Sequence, residues 1–323
     1  MARSTFHTLA AVTSVSVLTL GLAACNRDSA PAGDAAGATG TAGGAGKTIT
    51  LAVSTLNNPF FVDLRDGAQE AADAGGATLN VVDAQNDAAT QANQIADAVT
   101  KQASVVIINP VDSDAAGSAV TPALNANIPV VAVDRAVNGA EVASLISSDN
   151  VQGGKLAAEA LGKAMGGSGE VIVLQGVPGT SASRDRGQGF TDGVAGAGIS
   201  VIAQQPANFD RTQGLNVATN LLQSNSGAKG IFAENDEMAL GAIQALGNRA
   251  GQEVMVFGFD GTADALAAIE AGTMVGTIAQ QPKELGKEAV NNALKVAAGE
   301  TVEKQIPVEV KAVTKENVNE FKQ

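Results

Sequence analysis

Residues 51–61 read Leu-Ala-Val-Ser-Thr-Leu-Asn-Asn-Pro-Phe-Phe, and the change of character along this stretch decides the fold. The run Ile49 to Val53 has the apolar, β-branched content of a buried strand. At Ser54 the chain turns polar. Pro59 suits the first position of a helix, where no backbone donor is needed, and Asn58 suits the cap before it. Phe61, Leu64, Ala68 and Ala71 then recur at helical spacing until Gly75-Gly76. Strand, tight polar loop and helix make the opening half of a βαβ unit. The loop carries a hydroxyl, amides and two aromatic rings. Such groups suit a small polyol, whose edges need hydrogen bonds and whose C–H faces need apolar cover. Taken alone, the segment reads equally as a helix cap with two core rings.

The pattern repeats along the chain. Short β-branched runs at Leu79–Val82, Val105–Ile108, Val130–Val133, Val171–Leu174, Val201–Ala203, Gly230–Ala233 and Val254–Phe257 alternate with Ala-rich helical segments. Asp87 caps one of these, whose stripe is Ala88, Ala92, Ile95 and Val99. This alternation predicts an α/β protein of right-handed βαβ units, with parallel sheets covered on both faces. The 276 residues beyond Lys47 exceed what one core sustains, so two domains are expected, dividing near Ser147–Asn150. A helix from Pro282 to about Ala298 and the run Gln305–Val310 could return to the first domain.

In open parallel sheets, ligands sit at the carboxyl ends of strands. Those ends carry Ser54, Asp83, Asn109, Asp134-Arg135, Gln175, Gln205, Glu234-Asn235 and Phe259-Asp260. Each has a local reading: Asp134-Arg135 as a loop ion pair, Asn235 and Asp236 as helix caps. Phe60, Phe61, Phe209 and Phe259 lie at such ends or just beyond, and with no Trp or Tyr any ring stacking must use Phe. The glycine-rich stretch Gly176–Gly189 lacks the Gly-Lys-Ser/Thr ending of a nucleotide loop, and Gln204-Gln205 stands where a dinucleotide site needs an acid. Of its two arginines, Arg186 is assigned to a ligand and Arg184 to a surface pair with Asp185.

Residues 1–24 have a basic start, an apolar run from Leu9 to Leu20 and small residues before Cys25, as in a secretory signal. The ending Leu-Ala-Ala-Cys resembles the bacterial lipobox, which implies lipid on Cys25. Residues 26–46, rich in Ala, Gly, Thr, Ser and Pro, read as a flexible tether spanning about 25 Å. Without residues 1–24 the balance is 19 Lys+Arg against 33 Asp+Glu, or −14, which disfavours nucleic acid. The only histidine, His7, is in the signal and the only cysteine is the anchor. Ser-His-Asp and Cys-His catalysis and zinc sites built on those ligands are therefore excluded, and neither metal nor cofactor is expected.

Taken together, VSTLNNPFF (53–61), INPVDSDA (108–115), VDR (133–135), SDNVQGGK (148–155), LQGVPGTSASRDRGQGF (174–190), AENDEMALGA (233–242), GFDGT (258–262) and TIAQQP (277–282) resemble the bacterial ribose-binding proteins, solute receptors of ABC importers. The resemblance runs from about Thr48 to about Val313. It implies a type I periplasmic binding protein: two Rossmann-like, doubly wound lobes joined by a hinge of three crossovers. The first lobe would be 48–148 plus 281–309 and the second 149–280 plus 310–323, after a signal (1–24) and a lipidated tether (25–47). Carried over by motif, the sugar contacts are Ser54, Asn58, Phe60, Phe61, Asp134, Arg135, Arg186, Phe209, Asn235, Phe259, Asp260 and Gln280. The implied role is capture of D-ribose, or of another small sugar such as allose or a second pentose, by closure of the lobes. An ABC permease reads the closed form, and a chemoreceptor is a further candidate. The protein would be an exported monomer held at the membrane through its lipid alone.

Two rivals are weighed against this. A sugar-responsive transcription regulator needs a basic helix-turn-helix headpiece, and residues 26–46 hold only Arg27. A two-carboxylate sugar hydrolase would use Asp134 and Asp260, but neighbouring arginines are expected to keep both ionised, leaving no general acid.

Overall fold

The computed structural model describes residues 44–322. The expected signal, Cys25 and the tether up to residue 43 lie outside the described residues. In the first half the chain forms β1 (Thr48–Val53), α1 (Pro59–Gly75), β2 (Thr78–Asp83), α2 (Ala88–Thr100), β3 (Val105–Ile108), α3 (Ser113–Asn125), β4 (Val130–Val133) and β5 (Ser144–Ser148). There follow α4 (Asn150–Ala164), β6 (Gly169–Gln175), α5 (Ser181–Ala197), β7 (Ile199–Pro206), α6 (Arg211–Ser224), β8 (Gly230–Ala233), α7 (Asp236–Leu246), β9 (Met255–Asp260), α8 (Ala263–Ala271) and β10 (Gly276–Ala279). The chain closes with α9 (Pro282–Ala297), β11 (Gln305–Val308) and β12 (Lys311–Thr314).

Two six-stranded sheets result, in the orders β11-β5-β4-β3-β1-β2 and β12-β10-β9-β8-β6-β7. Strand β1 is paired on both sides, and both neighbours match its apolar register: Leu51 faces Val81 on one side and Ile107 on the other. Each sheet is covered on both faces, so each lobe has two apolar clusters. One of the first lobe's gathers Phe61, Leu64, Leu285 and Val290, where α9 packs beside α1. The chain passes between lobes three times, at Asp149, at Gln280-Gln281 and at Glu309-Val310.

Several expectations need correction. The second sheet is mixed: β12 runs antiparallel to β10. Only Glu309 and Val310 separate it from β11 of the first sheet, so the chain enters the second sheet beside the carboxyl end of β10, Lys311 opposite Ala279, and runs back along it. Strand β5 was not anticipated, because Ser-Leu-Ile-Ser-Ser is short and polar. Most of Gly176–Gly189 is helix, since α5 begins at Ser181 under a Thr180 cap. The buried stripe of α2 is Gln91, Ile95 and Ala98. Gln91 is tolerated there because its amide donates to Asn109 O at 2.9 Å and accepts from Val111 N–H at 2.9 Å. The tether also ends earlier than residue 47: Gly44 is buried and Lys47 Nζ donates to Ala297 O at 2.9 Å.

Candidate functional site

The carboxyl ends of the two sheets face one small pocket. Its walls are Asn58, Phe60, Phe61, Asp134 and Arg135 from the first lobe, and Ala182, Arg186, Phe209, Asn235, Asp260 and Gln280 from the second. Ten of the twelve residues expected from the sequence line it. Ser54 and Phe259 do not.

Asn58 caps α1, its side chain accepting from Phe60 N–H at 2.9 Å, and Pro59 follows as first helical residue. This start fixes Phe60 and Phe61 as an edge-to-face pair, centroids 5.1 Å apart. Ser54 lies behind them. Its N–H donates to Asn109 Oδ1 at 3.1 Å, and its buried hydroxyl has no partner.

Asp134 follows β4 with φ of +65°, a conformation disfavoured for a side chain with Cβ and held here by its neighbours. Its Oδ2 accepts from Asn109 Nδ2 at 2.9 Å and lies 3.5 Å from Arg135 Nε, while Oδ1 is buried without a partner. Arg135 donates from Nη1 to Pro110 O at 2.9 Å. Its guanidinium is clasped between Phe61 of the first lobe (5.4 Å) and Phe209 of the second (5.3 Å).

On the second lobe, Arg186 donates to Asn150 Oδ1 at 2.9 Å and to Glu234 O at 2.7 Å, and lies 3.8 Å from Asp260 Oδ1. Phe259 is fully buried beneath it, 3.9 Å from guanidinium carbon to ring centroid. The sequence reading gave this ring to the sugar face; it supports the arginine instead. Asn235 fills both roles read for it, capping α7 through Met238 N–H at 3.0 Å while bordering the pocket. Gln280, where the chain leaves the second sheet, donates to Asp260 Oδ1 at 2.7 Å and accepts from Ser148 Oγ of the first sheet at 2.6 Å. Asp260 Oδ2 is left without a partner. Arg184 is exposed, 3.5 Å from Asp185.

Burial pushes the carboxyls of Asp134 and Asp260 above their ordinary range, against the pull of the arginines. The expectation that neighbouring arginines keep both ionised left out this opposing push of burial. Burial likewise lowers Arg135. Asp134 Oδ1 and Asp260 Oδ2, both without a hydrogen-bond partner beside one small pocket, each carry a desolvation cost that ligand hydroxyls would relieve. Among the described residues, no group of three His, Cys, Asp or Glu is placed to hold a metal.

The sequence reading left out Ala182, Asn109, Asn150, Ser148 and Glu234 as contributors. Asn109 and Glu234 stood at strand ends and were within reach of that argument. Asn150 and Ser148 carried no comparable signal, because what they do depends on side chains far away in the chain.

A family model described as a periplasmic binding protein domain matches residues 49–301. The ribose import binding protein RbsB of Escherichia coli (strain K12) is 49% identical over 269 residues, covering 83% of this chain and 91% of that protein. RbsB of Bacillus subtilis (strain 168) is 43% identical over 267 residues, covering 83% and 87%. Among solved structures, an ABC transporter periplasmic solute-binding protein from Actinobacillus succinogenes 130z with bound D-allose superposes with a TM-score of 0.79 at 32% identity, covering 85% of this chain and 99% of that one. These relatives are solute receptors, a role in which no bond is made or broken. This chain belongs to the periplasmic binding protein family, among the sugar-binding components of ABC importers.

Proposed function

We propose that this chain captures D-ribose between its two lobes and hands it to an ABC permease. The observation that carries the reading is the pocket itself, fed by strand ends of both lobes and bearing two buried carboxylates with an unpartnered oxygen each. Asp134 and Asp260 accept from sugar hydroxyls, Arg135 and Arg186 donate, and Phe60, Phe61 and Phe209 cover the C–H faces. Because both lobes contribute, sugar binds the closed form more tightly and shifts the equilibrium toward it. The likeness to ribose import proteins at nearly half identity supports ribose among the small sugars. The lobes are taken as 48–148 plus 281–309 and 149–280 plus 310–323, acting as a monomer anchored through lipid on Cys25. The closed form is the one the permease reads, with a chemoreceptor as a further reader.

Calorimetric titration of the lipid-free protein with D-ribose tests this, micromolar or tighter binding being expected. The second reading, a receptor for D-allose, is favoured by the allose-bound structural relative. Tighter binding of D-allose than of D-ribose would replace the first reading with the second.

A further inference from the structure

Beside the pocket, two helices cap each other across the cleft. Ser113 opens α3 on the first lobe, and Ser181 opens α5 on the second. The N–H groups of a helix's first turn have no partner within the helix. Here Ser113 N–H donates to Gly179 O at 3.2 Å, and Ser181 N–H donates to Ser113 Oγ at 3.1 Å. A third bond follows, from Ala136 N–H of the first lobe to Ser181 Oγ at 2.8 Å. Both serines are buried, and neither lines the sugar pocket. Each partner in these bonds sits on the opposite lobe, so opening the cleft breaks all three together.

Close approach also depends on Gly179. Its φ is +89°, and a Cβ there would come within 2.6 Å of Asp112 Oδ2, the carboxylate that caps α3. That carboxylate therefore lies where the positive poles of two helices converge, which lowers the cost of bringing them together.

We propose that Ser113 and Ser181 form an interlobe latch that sets how tightly any sugar is held by stabilising the closed form, without touching the sugar. A device of this kind acts on the population of the closed state, so it scales every ligand's affinity by one factor. Residues lining the pocket change affinity unequally from sugar to sugar.

The test is calorimetry and stopped-flow dissociation on Ser113→Ala, Ser181→Ala and Ser181→Thr, with D-ribose and the next-best sugar the wild-type protein binds. Each alanine variant is expected to weaken both sugars by the same factor, roughly two- to tenfold, with faster dissociation. Ser181→Thr keeps the hydroxyl and should retain most of the affinity. Gly179→Ala should weaken both sugars more than either serine variant. Melting of the sugar-free proteins separates misfolding from loss of closure. Unchanged affinity in both alanine variants overturns the latch, as does a changed ratio between the two sugars. The latch rests on closure around a bound sugar and not on its identity. A preference for D-allose would thus end the ribose reading and leave this test in place.

Discussion

The guanidinium of Arg186 lies flat enough on Phe259 to bring its carbon within 3.9 Å of the ring centroid, while Asn150 and Glu234 hold its edge. Stacking and two hydrogen bonds leave the arginine one orientation, with its remaining donors directed at the pocket.

Arg186→Ala is therefore expected to weaken D-ribose by at least about tenfold, a charge-assisted bond contributing roughly 1.5–3 kcal/mol. Arg184→Ala, at the exposed pair with Asp185, should change affinity by less than about twofold. Titration of both variants is the check, and equal losses would mean the wrong arginine has been given the sugar.

Asn109→Ala should act on stability and binding together. The amide accepts from Ser54 N–H and donates to Asp134 Oδ2, so its loss leaves a buried donor unsatisfied and frees the carboxylate it orients. Unfolding in urea should show a loss of about 2 kcal/mol, accompanied by weaker ribose binding. Unaltered affinity at reduced stability would confine Asn109 to the scaffold.

Glu234 gives the chain a pH signature. Its carboxyl is buried, accepting from Gly176 N–H at 2.7 Å and from Ser183 Oγ, and burial pushes it up to about 7. With the folded value raised above the unfolded one, its contribution is fully present below about pH 4.5 and is lost as pH rises to about 7. Glu234→Gln should therefore gain on the wild type with rising pH, by up to about 3 kcal/mol above pH 7. Urea denaturation of both proteins from pH 5 to pH 8 measures the difference, and a constant offset across that range would sink the assignment.

Selectivity follows from the unpartnered groups. Inverting one hydroxyl leaves at least one closed-pocket group unpaired, and sites of this kind discriminate by up to about 10⁴. A hexose must also fit one more carbon into a small pocket walled by Phe60, Phe61 and Phe209. D-Ribose is expected to exceed arabinose, xylose, glucose and galactose by at least about 100-fold. Comparable calorimetric affinity for any of the four would refute this description of the pocket.

Cys25→Ser should leave ribose binding intact and release the protein from the membrane fraction, since the lipid site precedes the first strand by more than twenty residues. Retention of the variant after alkaline washing would disprove the anchor.

How much of this was legible in the sequence depends on the range of the interaction. Helix starts were readable because their causes are local: Asn58 and Pro59 at α1 and Asp87 at α2 do in the structure what their residue types announce. Polar strand ends likewise marked the pocket, because a parallel α/β sheet leaves ligands nowhere else to sit. What escaped was long-range. Phe259 looked like a ring for the sugar until Arg186 was found on top of it. Gln91 was absent from the stripe read for α2, because the two backbone partners that permit its burial come from another loop. The upward push of burial on Asp134 and Asp260 was likewise missed, because neighbouring arginines are visible in a sequence and desolvation is not.

The first sheet opens at Thr48, yet its edge is complete only when Ile306 pairs opposite Ile146. Helix α9, which covers one face of that lobe beside α1, is likewise made after nearly all of the second sheet. During synthesis, then, the first core to emerge waits for partners made after most of the second lobe. Contacts closed across so much chain form slowly. A nascent chain stopped anywhere before Pro282 lacks the helix that would bury Phe61 and Leu64, and so keeps that lobe from completing its core until most of the second lobe has been made.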